Sequence, residues 1–308
     1  MSTDTGGPYQ RWVRGAIQEP GKVYRAMFVV AAVFFLVTTL FPLYWLVVLA
    51  LTPAEAISNV GLLPNGFNPA AFVTVFEKVP FHWYVFNSFV LGLLTTIVVL
   101  FLASLAGYVF GRLDFPGKTP LMLLILAVSY FPPAAFLLPL FQLFTANITF
   151  LTLPGGPEIT SPMLFNTPGA LVLPYSALFL PLSIFILTTF YSQIPDGLEN
   201  AARIEGTTRL GALFRVIMPL SAPGVATAGV LTFIAVYNEF FFGYLMTDGQ
   251  AQHWAPVVWG ILHFQGQYGS LYNLMAAASI IGVLPVAIIV VVAQEKIVSG
   301  LTAGALKE

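Results

Sequence analysis

Six long apolar runs, separated by short polar stretches, constrain this 308-residue chain more than any other feature. They fall at about 26–51, 85–110, 119–145, 168–190, 220–246 and 272–294. Crossing a hydrocarbon core of roughly 30 Å takes about 20 apolar residues, and each run is long enough. Inside lipid only a helix or a closed barrel satisfies every backbone group, so the sequence predicts an all-α polytopic membrane protein with six transmembrane helices. Composition agrees: 58% of residues are hydrophobic and 8% are charged. A soluble domain carries about a quarter charged residues, so too little polar surface is available to cover this body in water.

The few charges orient the bundle. With the N-terminus inside, Arg11, Arg14, Lys22, Arg25, Arg112, Lys118, Arg203, Arg209, Arg215, Lys296 and Lys307 all fall on the cytoplasmic side. Only Lys78 of the twelve basic residues falls outside. The positive-inside rule then predicts that both termini and the 191–219 loop are cytoplasmic. Three units follow: a cytoplasmic segment 1–25, a transmembrane domain 26–294 and a cytoplasmic tail 295–308. No cleavable signal peptide is expected, because polar-to-mixed residues precede the first apolar run. A net charge of −1 argues against a nucleic-acid partner. Zero cysteines exclude disulfides, thiolate metal sites and cysteine nucleophiles.

Within the 191–219 loop, Ile194-Pro-Asp-Gly-Leu-Glu-Asn-Ala-Ala-Arg-Ile-Glu-Gly206 is a polar, helix-forming segment. Asp196 and Glu199 have the spacing of a capping box, and Gly206 can end the helix in a left-handed conformation. A second helix is predicted from about Thr207 to Ile217, with Pro219 marking its end. Such a water-facing helical pair between spans suits the docking of a soluble partner.

Within the membrane, Ala103, Gly107 and Gly111 recur every four residues, as do Ala278 and Gly282, forming ridges that let helices approach closely. Pro132, Pro133, Pro139, Pro174, Pro181 and Pro285 interrupt spans and permit kinks. Glu239 is the only acidic residue well inside a span. Next to Tyr237 and Asn238, it supports two readings: a polyol site on a substrate pathway, or a structural carboxylate paired with a donor on another helix. A proton relay finds no second embedded acid or histidine. The outside loops are 52–84, long enough for a small cap; 146–167, with Leu153-Pro-Gly-Gly-Pro157; and 247–271, aromatic-rich and suited to an interface or lid. His82, His253 and His263 show no metal-ligand spacing. No GxxxxGK[ST] phosphate loop occurs, nor any signature of a serine hydrolase.

These motifs resemble those of carbohydrate ABC importer permease subunits of the maltose and glycerol-phosphate type. Leu198-Glu-Asn-Ala-Ala-Arg-Ile-Glu-Gly206 followed by Ile217-Met-Pro219 is similar to that family's EAA loop, with Asn200 as a variable residue within it. Asn87-Ser88, Gly111-Arg-Leu-Asp-Phe-Pro-Gly-Lys118, Phe131-Pro-Pro133, Tyr237-Asn-Glu-Phe240, Met275-Ala-Ala-Ala278 and Val298 to Ala305 are similar to further landmarks. The resemblance implies a type I ABC importer permease fold in a prokaryotic inner or plasma membrane. It implies ATPase coupling through Glu199, Ala201, Ala202, Glu205, Gly206 and Pro219, with Tyr237, Asn238 and Glu239 on the sugar path. It implies no cofactor in this chain, with ATP and Mg bound by the partner ATPase. The implied partners are a second homologous permease subunit forming a heterodimer, two cytoplasmic ATPase subunits and an extracytoplasmic sugar-binding protein. The implied role is that of a transport subunit, not an enzyme, working by alternating access. A permease for another solute and a secondary transporter are the alternatives. A membrane enzyme would need clustered His, Asp or Glu near one bilayer face, which is not found.

Overall fold

In the computed structural model, residues 20–152, 158–266 and 269–303 are described, together with Gly7 and Gly156. The expected 1–19 portion of the N-terminal segment, most of Leu153 to Pro157, and the last residues of the tail motif lie outside them. The first span is one helix, α1 (Pro20–Leu51). A short α2 (Ala71–Lys78) in the 52–84 cap leads to α3 (Phe81–Arg112). Later spans are α6 (Pro168–Tyr191) and α12 (Tyr272–Ala303), the latter running past the expected end at 294. These four helices are long and apolar enough to cross a bilayer.

The other two runs are broken. The third consists of α4 (Lys118–Ser129) and a 3-10 turn leading into α5 (Leu137–Phe144), bent by 84°. Pro132 and Pro133 sit at the break. Neither offers an N–H, and Pro132 is extended at ψ 125°, so the helical ladder cannot pass through them. The sequence anticipates a kink there but not a near right angle. A β-hairpin of β1 (Thr149–Thr152) and β2 (Glu158–Thr160) follows.

The fifth run resolves into α9 (Ala222–Tyr237) and α10 (Phe241–Leu245). At 16 residues and 1.5 Å per residue, α9 spans only ~24 Å, short of a hydrocarbon core of roughly 30 Å. Before it come α7 (Asp196–Ile204) and α8 (Arg209–Leu220), with an 85° bend between α8 and α9. The helical segment runs through Pro219 to Leu220 and turns at Ser221; Pro219 does not end it.

The bundle centres on α3, which packs along α6 and α9, while α12 packs against α9 and α1. The glycine ridge explains the closest seam. A Cβ on Gly107 would lie 3.0 Å from Leu187 Cβ, and one on Gly111 3.1 Å from the Thr188 carbonyl oxygen. Only a residue without a side chain lets α3 and α6 approach so far. Both ridges therefore serve packing within this chain; Gly282 likewise faces Val257, at 3.0 Å from its would-be Cβ.

At the end of α3 opposite Arg112, buried polar groups pin the 247–271 loop. Asn87 Nδ2 donates to the carbonyls of Ala251 (2.8 Å) and Ala255 (3.0 Å). Ser88 Oγ accepts from the Val257 N–H (2.7 Å), and the Tyr84 hydroxyl donates to the Gly249 carbonyl (2.9 Å). The loop folds over this end through α11 (Val257–Leu262) and a short antiparallel pair, β3 (Gln265–Gly266) and β4 (Gly269–Ser270). Asp248 bonds His253 Nδ1 (2.7 Å) and Asn166 Nδ2 (3.1 Å), joining the loop to the entry of α6. Burial pushes the Asp248 carboxyl up, but these bonds and the Gln250 N–H outweigh it and hold it below the ordinary carboxylate value. Among the described residues no three His, Asp or Glu side chains group as metal ligands.

Candidate functional site

At the other, basic end of the bundle, α7 stands out from the membrane body on a short linker. Its fourth residue, Glu199, is buried at 7% exposure, which is rare for a carboxylate without partners. Its partners come from α3. The Tyr108 hydroxyl donates to Oε1 at 2.6 Å, and Arg112 Nε donates to Oε2 at 2.9 Å. Arg112 Nη2 pairs with Asp196 at 2.8 Å, and Nη1 reaches the Ile194 carbonyl. The guanidinium thus holds the first turn of α7 and the linker before it.

Burial pushes the Glu199 carboxyl up. Hydrogen bonds from Tyr108 and Arg112, and the charges of Arg112 and Arg203, outweigh that effect and leave it below the ordinary glutamate value. The expected capping box does not form: α7 has no side-chain cap, and both acidic residues turn to Arg112 instead. The basic group that Glu199 meets belongs to its own chain.

Inward commitment of Glu199 leaves the opposite face of α7 free. Leu198, Asn200, Ala201, Arg203, Ile204, Glu205 and Gly206 are exposed, with Ile204 at 88%; Ala202 is half-buried. An isoleucine so exposed on a charged helix has no packing role in this chain. Gly206 has φ +92°, the left-handed conformation expected of it, and redirects the chain to α8. Thr208 Oγ1 caps α8 by accepting from the Gly211 N–H at 3.1 Å. In a π-helical turn, Leu213–Ile217, both end residues are buried, in the same apolar cluster as Leu187 and Tyr191 of α6. Pro219 is exposed near the α8–α9 bend. Of the residues expected at the coupling site, Ala201, Glu205, Gly206 and Pro219 are exposed, Ala202 is half-buried and Glu199 is turned inward.

Tyr237, Asn238 and Glu239 do not share one surface. Tyr237 is buried, and its hydroxyl donates to the Gly282 carbonyl at 2.7 Å. Asn238 is exposed, and its Nδ2 bonds the Ile234 carbonyl at 2.9 Å. Glu239 receives four amide hydrogen bonds, from Phe241, Phe242 (to both oxygens) and Gly243, at 2.7–3.3 Å. Of the two sequence readings, the structural one describes its contacts, although the donors are backbone amides of α10.

Sequence reasoning missed an aromatic stack beside it. Phe240 and Tyr244 stack at 5.5 Å between centroids, and Tyr244 stacks on Trp259 at 4.7 Å. The i, i+4 spacing of Phe240 and Tyr244 is readable in sequence; the contact with Trp259 is not. Phe240 and Tyr244 are nearly half exposed. Near the break in the third span lies an apolar cavity of about 280 Å³, lined by Phe131, Phe136, Phe144, Leu178 and Phe242 among others, with little to offer a polyol.

Residues 101–296 match a known family, described as the binding-protein-dependent transport system inner membrane component. The chain is 39% identical over 280 residues to the sulfoquinovosyl glycerol transport system permease protein SmoH of Agrobacterium fabrum, covering 90% of this chain and 92% of that one. It is 33% identical to the trehalose/maltose transport system permease protein MalG of Thermococcus litoralis, covering 92% and 97%. Among solved structures it aligns with a bacterial ABC transporter involved in the import of the acidic polysaccharide alginate, at TM-score 0.68 and 18% identity, over 89% of this chain and 96% of that one.

Proposed function

The chain belongs to the binding-protein-dependent transport system inner membrane component family, and on that premise we propose that it is one half of the pathway of an ATP-driven sugar importer, with α7 docking a cytoplasmic ATPase. The observation that carries this reading is the exposed face of α7. Leu198, Ala201, Ile204 and Gly206 offer a small, partly apolar surface on a helix whose buried side is fixed to the bundle. The chain has no phosphate-binding loop of its own, so the nucleotide with its Mg belongs on the partner. Docking there puts both termini and α7 in the cytoplasm, in line with the basic residues at that end.

The relatives' solutes, a sulfoquinovosyl glycerol and trehalose or maltose, favour a glycoside as cargo. An extracytoplasmic binding protein would deliver it. The path would run between this chain and a homologous second permease subunit, past Asn238 and the exposed rings of Phe240 and Tyr244. Aromatic faces suit the apolar C–H faces of sugar rings. Tyr237 and Glu239 would support that wall from behind, because their polar atoms are already engaged.

The test is purification of the tagged chain from native membranes, with and without Ile204→Glu. The wild-type chain should recover a second permease subunit and a P-loop ATPase, and Ile204→Glu should lose the ATPase alone. Recovery of the wild-type chain by itself, or equal ATPase recovery with both, would overturn the assignment.

A further inference from the structure

Arg112 is a buried cation at the junction of three elements that the coupling reading requires to move together. Its side chain is 4% exposed, and each of its three nitrogens finds a different acceptor: Glu199, Asp196 and the Ile194 carbonyl. The pairs are not equivalent. The Asp196 side chain is 87% exposed and screened by water, whereas the Glu199 side chain is 10% exposed. The Glu199 contact therefore holds the joint, and Tyr108 secures the other carboxylate oxygen.

Chain connectivity gives α7 two points at which to pivot, although the amides of Ser192, Gln193 and Ile194 bond back to α6. It is joined to α6 by Ser192–Pro195, of which Ser192, Gln193 and Pro195 are exposed. It leaves through Gly206, around which a Cβ would meet nothing within 4 Å. A push on α7 could pivot at either point without moving a span. Arg112 bypasses both pivots, because it is the last residue of α3, and α3 is packed at glycine distance against α6.

Resting on the coupling reading above, we propose that Arg112 is a positioning residue that fastens the docking helix α7 to the α3–α6 pair, so that ATPase motion reaches two spans as one rigid displacement. Arginine suits this joint and lysine does not. A planar fork can hold several acceptors in fixed directions, whereas an ammonium is a point charge on a flexible stem.

The natural absence of cysteine makes spin-label pairs straightforward. One pair is placed at Asn200 on α7 and Leu102 on α3; a second, at Leu102 and Phe185, reads the α3–α6 seam and controls for folding. All three sites are exposed. The complete transporter is studied with Arg112 native, Arg112→Lys and Arg112→Gln. The expected result is a narrow α7–α3 distance distribution in the native protein that widens in Arg112→Lys and further in Arg112→Gln. The seam pair should stay narrow. Substrate-stimulated ATP hydrolysis should fall about tenfold or more in Arg112→Gln, with the ATPase still copurifying. An unchanged α7–α3 distribution in Arg112→Gln would overturn the proposal while leaving docking at α7 intact. A widened distribution with full stimulation would overturn it too, by showing that transmission does not need the joint. Failure of the docking reading itself is seen separately, in Ile204→Glu.

Discussion

The α3–α6 seam allows a quantitative test at Gly111. In an open helix, glycine costs about 1 kcal/mol relative to alanine and roughly 0.4 relative to valine, so substitution by either should stabilise. At Gly111 the space decides otherwise. A Cβ would lie 3.1 Å from the Thr188 carbonyl oxygen, 3.2 Å from Tyr191 Cβ and 3.3 Å from the Ser192 nitrogen. Two of these three atoms are backbone, so no rotamer change relieves the contact. Overpacking of this kind costs about 1–3 kcal/mol, and the two methyls of valine reach further into the same wall. For Gly111→Val the net expectation is a loss of about 2 kcal/mol, or roughly thirtyfold in the folded-to-unfolded ratio. Gly197 on α7 is the control: it also lies in a helix, and a Cβ there meets nothing within 4 Å. Gly197→Val should change stability by less than about 0.5 kcal/mol. Denaturant titration of the purified permease in detergent, followed by circular dichroism, measures both. Gly111→Val unfolding at the native midpoint, or Gly197→Val losing as much as Gly111→Val, would refute the close-approach argument.

Asn87→Leu removes the donor shared by the Ala251 and Ala255 carbonyls. Leaving buried acceptors unpaired costs about 1–3 kcal/mol, so limited proteolysis should cut the 247–271 loop faster while the basic end stays protected; unchanged cleavage would count against the pinning. The pH dependence of the α7 joint follows from the lowered Glu199 carboxyl. Its stabilisation is fully present above the ordinary glutamate value of about 4.3 and is lost only as pH falls through the still lower native value. The Asn200–Leu102 distance distribution should therefore match at about pH 8 and about pH 5, and broadening between them would mean that Glu199 is not held as the charged partner of Arg112.

The lipid-driven part of the fold was legible in the sequence. A bilayer demands long apolar helices and small residues at close crossings, and those demands are local enough to read from composition and spacing. The third run shows where that ends: Pro132 and Pro133 announce a break, but its 84° angle depends on what α4 and α5 pack against. The 191–219 loop was legible as a loop, and Gly206 as its left-handed turn. Glu199 was not, because the capping-box spacing fits Asp196 and Glu199 equally well as a local motif. Its real partner lies 87 positions away in sequence, where Arg112 reads as an inside charge within a family landmark and nothing ties it to Glu199.

Tyr237, Asn238 and Glu239 teach the complementary point. Three polar residues in a span read as a ligand site, yet each bonds backbone first: Tyr237 to Gly282, Asn238 to Ile234, Glu239 to the amides opening α10. In a medium without water, a break in a helix frees amides that cost several kcal/mol each if left alone, and Glu239 is the side chain that takes up those opening α10. A carboxylate beside a helix break is therefore assigned to the break before it is assigned to a solute. The proposed solute path then keeps Asn238, which is exposed, and the rings of Phe240 and Tyr244, which are nearly half exposed.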